Sequence, residues 1–333
     1  MKLAILHDAL GEGAAKDEQD SLVQVSGVSQ ALSELGYEGI LLPFLWNLDL
    51  FKRHLLSIKP DLIFNLVESL QGEGHLIHFA PTLLDVMKIP YTGCSSESIY
   101  LTSNKLIAKR MMRLEGICTP DWITAKSPYQ DIRRVERKTV THRYIIKSVW
   151  EHASIGIDDT SVVRAEDPRE IRLILKRRNS ESGSTFFAEQ YIEGREFNLS
   201  LISNRKKVRV LPPAEMKFSK NNGSRPRVLC YAAKWNEGSP EYTATKRSFD
   251  FSEHDIPILH TIETLALRCW SLFGLNGYAR VDFRVDSSGT PYVLEVNANP
   301  CISPDSGFVA AVKRAGMNYN GMVRSIIGHP VEH

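Results

Sequence analysis

The chain has 333 residues, 43% hydrophobic and 24% charged, which predicts a globular protein of two or three lobes and not a disordered or fibrous one. Its 41 lysines and arginines against 39 acidic residues leave a net charge of +2, which argues against broad electrostatic binding of nucleic acid. The five cysteines include no Cys-x-x-Cys pair, and no signal peptide or membrane span is recognisable, so we expect a cytoplasmic protein without a disulfide framework.

The N-terminal part of the chain alternates short apolar runs with helical patterns. The predicted strands are residues 2–7, 38–42 and 61–66, and the predicted helices are residues 22–35 and 75–87. Such alternation predicts a parallel sheet in an α/β lobe, with ligands at the carboxyl ends of the strands.

The middle of the chain has a different pattern, in which short strands outnumber helices. Helices are predicted at residues 104–114 and 168–178, and strands at residues 144–147, 162–165, 186–190 and 196–202. This mixture favours an α+β lobe. Residues 211–249 show little periodicity and are typical of a lid or binding loop, and residues 253–273 predict a strong helix.

Charged and apolar residues alternate near the C-terminal end of the chain. On a strand, this period places the charged residues on one face, and they are Arg280, Asp282, Arg284 and Asp286. A two-residue turn is predicted at Ser288-Gly289. The resulting antiparallel pairs are Asp282 with Glu295 and Arg280 with Asn297.

Two carboxylates that face each other destabilise a sheet unless a cation lies between them. Asp282 and Glu295, with the amide oxygen of Asn297, are ligands that suit Mg²⁺. A solvated strand face is the alternative interpretation.

This segment resembles the metal-binding signature of the ATP-grasp fold, and in particular that of the D-alanine–D-alanine ligase family. Other segments resemble family motifs in the same order along nearly the whole chain. They are PYTGC at 90–94 followed by Asn104-Lys105, KSVWEHASIG at 147–156, EQYIEGRE at 189–196, and AKW at 233–235. The resemblance implies an α/β and α+β ATP-grasp fold of three lobes. They are an N-terminal parallel-sheet (pre-ATP-grasp) lobe at 1–95, a central lobe at 96–203 and a C-terminal lobe at 204–333.

The resemblance also implies an activity, which is ATP-dependent formation of an amide bond through an acyl phosphate. The implied cofactors are ATP and one or two Mg²⁺ ions, and the implied partners are a small carboxylate and a small amine, with neither nucleic acid nor membrane. Family resemblance further suggests a homodimer, formed through the N-terminal lobe.

The site residues follow from the same resemblance. The expected catalytic residues are Arg280, Lys234 and Ser306, although Arg280 alternatively serves as a partner of Asp282. The expected metal ligands are Asp282, Glu295 and Asn297. The expected nucleotide-binding residues are Lys105, Lys147, Glu151, Ser154, Gly156, Glu189, Gln190, Ile192, Glu196 and Lys234. The expected substrate-binding residues are Asp17, Glu18, Glu68, Cys301, Asp305 and Ser306.

The sequence departs from the family pattern where the family binds its amino acids. The family closes its site with a bonded glutamate, serine and tyrosine, but the counterparts here are Asp17 or Glu18, Ala153 and Trp235. Further departures are Glu68 for a histidine, Cys301 for a glycine, and Gly307 for a larger apolar residue.

These departures predict an amine substrate other than D-alanine, and the acidic Glu68 and Asp305 suggest a cationic one. Two alternatives stay open: D-alanine–D-alanine ligation itself, and a non-catalytic nucleotide-binding regulator. Retention of Arg280 together with all three expected metal ligands argues against the regulator, because nucleotide binding alone does not require Arg280.

Overall fold

The computed structural model describes residues 1–9, 16–127, 143–151, 157–204, 207–219, 226–229, 231, 236 and 238–332, without the side chains of residues 16–18, 159, 168, 204 and 241. The strands are β1 Lys2–Asp8, β2 Glu38–Phe44, β3 Leu62–Asn65, β4 Trp122–Thr124, β5 Arg143–Ser148, β6 Val162–Arg164, β7 Phe186–Gln190, β8 Gly194–Asn204, β9 Lys207–Val210, β10 Ala214–Phe218, β11 Thr245–Ser248, β12 Tyr278–Asp286 and β13 Pro291–Asn297. The helices are α1 Lys16–Glu34, α2 Leu48–Ile58, α3 Phe79–Met87, α4 Ser96–Ser103, α5 Lys105–Leu114, α6 Pro168–Ser182, α7 Pro240–Thr243, α8 Ile256–Leu272, α9 Gly307–Arg314 and α10 Tyr319–Ile327. None of these described helices combines the length and the hydrophobicity of a membrane span.

The N-terminal sheet is parallel, with strand order β2-β1-β3, as the alternating sequence pattern predicts. Successive side chains of β1 point to opposite faces, and both faces are buried. Leu3 and Ile5 join one hydrophobic core with residues of α1, whereas Ala4 and Leu6 join another with residues of α2. Burial on both faces explains why the strand is an almost continuous apolar run.

The four-stranded sheet has the order β4-β7-β5-β6 and is antiparallel. One face packs on α6, where Ile171 and Leu175 of the helix meet Ile146 and Ala188 of the sheet. This arrangement is the α+β unit that the middle of the sequence predicts.

A larger antiparallel sheet has the order β11-β10-β8-β12-β13, with β9 paired to β8. The apolar residues of β12, including Val281 and Phe283, pack with residues of α5 and α8 such as Met112 and Ala266. The alternate residues of β12 therefore face the opposite side, where the cavity described below lies.

The structure corrects some predicted elements. Residues 211–249, predicted to be irregular, contain β10, α7 and β11. The helix predicted at 75–87 begins at Phe79, after a 3₁₀ turn at Gly74–Leu76. Strand β8 pairs with β10 and β12 in the larger sheet. The three lobe boundaries stay a prediction.

Candidate active site

A cavity of about 530 Å³ lies where the four-stranded sheet and the larger sheet face each other. Ile145 and Glu189 line it from the first sheet, and Met216 and Asp282 from the second. Glu68 reaches it from the N-terminal part of the chain. The cavity thus collects residues from all three parts of the sequence, as a site that brings several substrates together requires.

The β12–β13 hairpin has the predicted pairing at the acidic end, because Asp282 is opposite Glu295 and Arg280 is opposite Asn297. The predicted two-residue turn is wrong. Asp286 pairs with Thr290 around a three-residue loop, which ends at Gly289 with a φ of 83°. A bulge between Asp282 and Phe283 restores the register.

Arg280 holds the carboxylate of Asp282 in a bidentate contact, in which Nε and Nη2 each donate over 2.8 Å. Asn198 on β8 donates to the same carboxylate from the other side, also over 2.8 Å. Burial opposes the charge of Arg280, but the attraction of Asp282 and Glu295 raises the pKa of Arg280 above its usual value. A catalytic role for Arg280 and a role as the partner of Asp282 are therefore compatible, since Arg280 pairs with Asp282 and also lines the cavity.

The expected metal ligands offer the oxygen donors that Mg²⁺ prefers. Asp282, Glu295 and Asn297 all line the cavity, and the Asn297 amide oxygen accepts from the backbone N–H of Asn299 over 3.0 Å, which fixes the amide orientation. In the described part of the chain, no three His, Cys, Asp or Glu side chains form a metal-binding group, so the third protein ligand of the proposed site is the amide of Asn297. The two carboxylates and one amide fit a hard cation that completes its shell with water and phosphate.

Glu189 lies between two lysines at the inner end of the cavity. Its carboxylate is 2.6 Å from Nζ of Lys147 and 2.6 Å from Nζ of Lys109, and the side chains of Glu189 and Lys109 are each 1% exposed. Burial lowers the pKa of Lys109 to about 8, although Glu189 opposes that shift. Burial works against the charge of Glu189, but the two lysines keep its pKa below the usual value.

Lys105 and Glu151 lie close together at the start of the predicted phosphate loop. Asn104 caps α5 by accepting from two backbone N–H groups, which places Lys105 at the first helical position. Nζ of Lys105 donates to the backbone carbonyl of Glu151. Burial lowers the pKa of Lys105, and the positive charge of Lys147 contributes to the same shift, against the attraction of Glu295. Lys105 and Lys147 therefore bring positive charge to one region of the cavity.

The predicted ribose-binding Glu196 is held by an arginine. Arg284, two residues beyond Asp282 on β12, donates to the Glu196 carboxylate over 2.7 and 3.1 Å. Its other nitrogen donates to the backbone carbonyl of Ile192 over 3.4 Å. The backbone N–H of Gln190 donates to the backbone carbonyl of Asp121 over 2.8 Å. Glu196, Gln190 and Ile192 all line the cavity.

The substrate end of the cavity is organised by α1. Gln24 donates to Glu68 over 3.0 Å and accepts from the backbone N–H of Ile302 over 2.6 Å. The thiol of Cys301 donates to Asp20 over 3.0 Å. Burial raises the pKa of Cys301 well above its usual value, and the nearby carboxylates add to the effect, so the thiol stays protonated.

Ser306 and Asp305 lie at the start of α9. Ser306 is the N-cap of this helix, and its hydroxyl oxygen accepts from the backbone N–H of Val309 over 3.3 Å. The hydroxyl proton is then available to donate to a ligand. Asp305 is exposed and lines the same end of the cavity.

Several predicted site residues lie outside the described part of the chain. They are Lys234, Ser154 and Gly156, together with Ala153 and Trp235. The backbone of α1 includes Asp17 and Glu18, but their side chains are also outside the described set.

Among the site residues that the sequence analysis missed are Asp20, Lys109, Asn198 and Arg284. Two of them had a signal in the sequence. Lys109 follows Lys105 by four residues on a predicted helix, so the two share a helix face. Arg284 continues the alternation of Arg280 and Asp282 along a predicted strand. The contacts of Asp20 and Asn198 join elements far apart in the chain, which no local pattern reveals.

Comparison with known proteins agrees with this geometry. The profile described as D-ala D-ala ligase C-terminus matches residues 111–328. The D-alanine–D-alanine ligase of Moorella thermoacetica is 30% identical over 337 residues and covers 100% of both chains. An uncharacterized protein of Sinorhizobium fredii, y4sG, is 29% identical over 90% of this chain and 85% of its own.

Solved structures show the same fold. The D-alanine–D-alanine ligase of Bacillus anthracis, complexed with ATP, superposes with a TM-score of 0.73 at 21% identity and covers 98% of this chain and 96% of its own. The VanG D-Ala:D-Ser ligase of Enterococcus faecalis gives a TM-score of 0.69 at 17% identity, with 98% of each chain covered. The chain belongs to the D-alanine–D-alanine ligase family and is an ATP-dependent ligase of the ATP-grasp fold.

Proposed function

We propose that this ligase joins an amino acid to an amine through an acyl phosphate, and that D-alanine is not its required substrate. The observation that carries the proposal is a single cavity that contains the facing pair Asp282 and Glu295, the fixed guanidinium of Arg280, and the ammonium groups of Lys105 and Lys147. Phosphoryl transfer requires charge neutralisation and positioning, and these groups supply both.

In the first step a substrate carboxylate oxygen attacks the γ-phosphorus of ATP, and the bond from that phosphorus to the ADP oxygen breaks. Lys105 and Lys147 offset negative charge on the phosphates. Asp282, Glu295 and Asn297 would hold Mg²⁺, which neutralises phosphate charge when bound.

In the second step the amine attacks the carbonyl carbon of the acyl phosphate, the bond from that carbon to the phosphate oxygen breaks, and inorganic phosphate leaves while the amine nitrogen loses a proton. Arg280 is fixed in orientation because two of its nitrogens donate to Asp282. Its positive charge is thus held ready for the oxyanion and the leaving phosphate without reorganisation. We assign Arg280 this role, with Ser306 as a hydroxyl donor to a substrate carboxylate.

The inner end of the cavity is assigned to the nucleotide. We propose that Glu189 and the backbone at Gln190 and Ile192 meet the adenine, and that Glu196 meets the ribose. The support is their common position on the cavity wall, with Glu189 and Glu196 fixed by ion pairs.

D-alanine–D-alanine ligation is the alternative that the named relatives favour. Against it stand Glu68, Cys301 and Gly307, which change the charge and size of the substrate end. Glu68 and Cys301 both face this end, where the thiol donates to Asp20. A regulator without turnover is disfavoured by the bidentate Arg280–Asp282 contact beside the metal ligands.

The test measures phosphate release with Mg–ATP for D- and L-amino acids, singly and in pairs, with mass detection of products. We expect release only when a carboxylate and an amine are both present, together with a condensed product. Asp282→Asn should abolish release, whereas Asp250→Asn, an exposed control, should leave it unchanged. Release that is specific to a pair of D-alanines would replace our substrate assignment, and ATP binding without turnover would favour the regulator.

We also propose a homodimer formed through the N-terminal lobe, acting in the cytoplasm. The support for the dimer is a set of exposed apolar side chains on that lobe, including Trp46 at 58% and Val86 at 76% exposure. Light scattering on the purified protein tests it, and a monomer mass at micromolar concentration would contradict it.

A further inference from the structure

The space beside Gly307 is filled by an arginine from another element. Gly307 is the first residue of α9, immediately after the N-cap Ser306. A Cβ atom at Gly307 would lie 3.2 Å from Nη2 of Arg247 and 3.5 Å from its Cζ and Nε. The guanidinium therefore packs directly against Gly307, where a Cβ would already be in tight contact and a larger side chain would have to displace Arg247.

Strand geometry directs Arg247 into the cavity. Arg247 lies on β11, at the edge of the larger sheet, where it is paired with Met216 of β10. Side chains alternate along a strand, and Thr245, Arg247 and Met216 line the cavity, whereas the intervening Lys246 does not. The position of the guanidinium is thus a consequence of the sheet register.

Among the described residues, Arg247 has no ion-pair or hydrogen-bond partner, and the groups that act on its charge are Arg280, Asp305 and Tyr242, all at longer range. Burial lowers its pKa, and repulsion by Arg280 lowers it further, while Asp305 acts in the opposite direction. Arg247 and Arg280 therefore both line this cavity, and the exposed Asp305 is the carboxylate that partly offsets the positive charge of Arg247.

We propose that Arg247 is a specificity-determining residue that binds a carboxylate on the side chain of an amino-acid substrate. This inference rests on the proposed function. A planar guanidinium matches a carboxylate through two parallel hydrogen bonds. The methyl group of alanine gives no such partner and would cover part of the guanidinium without compensating it. The site therefore favours amino acids with an acidic side chain over alanine.

The test compares kcat/KM for aspartate, glutamate, serine and alanine, in both enantiomers, for the wild type and Arg247→Gln. We expect the wild type to prefer an acidic amino acid. Arg247→Gln should lower kcat/KM for that amino acid by about 10- to 100-fold, which corresponds to the loss of a hydrogen bond to a charged group. The same substitution should lower kcat/KM for alanine by less than about threefold. Lys246→Gln, which removes the same charge from the neighbouring residue outside the cavity, should change neither.

A second variant tests whether the effect of Arg247→Gln arises from the guanidinium itself and not from a local structural change at position 247. Gly307→Ala keeps Arg247 but places a Cβ in its volume, so it should lower kcat/KM for the acidic substrate in the same direction. Equal losses on acidic and neutral amino acids, or a wild type that turns over alanine but no acidic amino acid, would overturn the role of Arg247 while the ligase function stands.

Failure of the proposed function is distinguishable from failure of this inference. If no pair of amino acids drives phosphate release, calorimetric titration of aspartate and glutamate in the presence of Mg²⁺ and a non-hydrolysable ATP analogue decides the question. Binding to the wild type that Arg247→Gln abolishes supports the acidic subsite. Absent binding, or equal binding to both proteins, overturns it.

Discussion

At the scale of single residues, the nucleotide end of the cavity depends on one buried carboxylate. Glu189 is 1% exposed and faces Lys109 and Lys147, so its negative charge offsets two positive charges in a region with little water. Removal of one member of such a group leaves buried charge without compensation, which is more destabilising than the net contribution of the pair.

We therefore predict that Glu189→Gln lowers the free energy of unfolding by about 3 to 5 kcal/mol. Urea denaturation at neutral pH measures this change. Glu193→Gln is the matched control, because Glu193 is 62% exposed and only 3.6 Å from Arg143 in a surface pair, which contributes about 1 kcal/mol or less. Equal losses in the two variants would mean that the lysines find other partners when Glu189 is neutral.

The contribution of Glu189, Lys109 and Lys147 to the free energy of unfolding depends on pH through Lys109. Burial lowers its pKa to about 8 from the usual 10.5 of a lysine, so above pH 8 the folded protein loses this proton while the unfolded chain keeps it. The unfolded state then binds more protons, and the contribution of Lys109 to the free energy of unfolding rises between about pH 8 and 10.5.

The difference in the free energy of unfolding between the wild type and Lys109→Met should therefore shift in favour of the wild type as the pH rises through this window. Chemical denaturation of both proteins at several pH values between 7 and 10 measures it. A constant difference would show that Lys109 has an unperturbed pKa in the folded protein.

At the scale of elements, the β12–β13 hairpin shows which features can be predicted from the sequence and which cannot. Alternation of charged and apolar residues predicted the strands and the facing Asp282–Glu295 pair correctly. The turn length was wrong, and the pairing was right only because a bulge at Leu294, opposite the step between Asp282 and Phe283, compensates for one extra loop residue. A bulge depends on packing against neighbouring strands and leaves no local signal, so the sequence could not show it.

Side-chain partners across the sheets were beyond the sequence for a similar reason. Arg284 and Glu196 are 88 positions apart, and they meet because β12 pairs with β8. Helices α9 and α10 and strand β9 were also missed, since they are short and their burial is decided by tertiary contacts. In contrast, β1 and β3 of the N-terminal parallel sheet were predictable, because they are buried on both faces and are therefore almost entirely apolar.

Gly194 begins β8 beside the proposed ribose-binding Glu196, and its conformation admits no side chain. Its φ is 155°, and a Cβ atom there would lie 1.9 Å from the carbonyl oxygen of Val285 on β12. We predict that Gly194→Ala lowers the free energy of unfolding by about 3 kcal/mol or more, because strain and overpacking add.

Gly183 is the control for Gly194. It has a φ of 69° and no atom within 4 Å of its would-be Cβ, so Gly183→Ala introduces backbone strain alone. We expect a loss of about 1 to 2 kcal/mol from it by urea denaturation. A loss for Gly194→Ala no larger than this would mean that β8 and β12 separate easily at their ends.

At the scale of the whole molecule, the hydrophobic cores divide the described chain unevenly. One core combines α1 and the parallel sheet with α9 and α10, and another combines α5 with α8 and the larger sheet. The four-stranded sheet and α6 instead have a core of their own. We infer that this unit opens more readily than the rest, because its hydrophobic core is separate from the other cores of the described residues.

Binding of Mg–ATP should therefore protect the four-stranded sheet most. A ligand that bridges Lys147 and Glu189 on one wall to Asp282 and Glu295 on the other must be released before the unit opens. At a ligand concentration of about 100 times Kd, this linkage is worth about 2.7 kcal/mol, or roughly 100-fold slower amide exchange.

Hydrogen exchange with Mg²⁺ and a non-hydrolysable ATP analogue should show this slowing in β5 and β7, and a smaller one in the edge strand β2, which does not line the cavity. Removal of Mg²⁺ with a chelator should reverse most of it, because the acidic wall then repels the phosphates. Equal protection of β2, β5 and β7 would instead show that the molecule opens as a single cooperative unit.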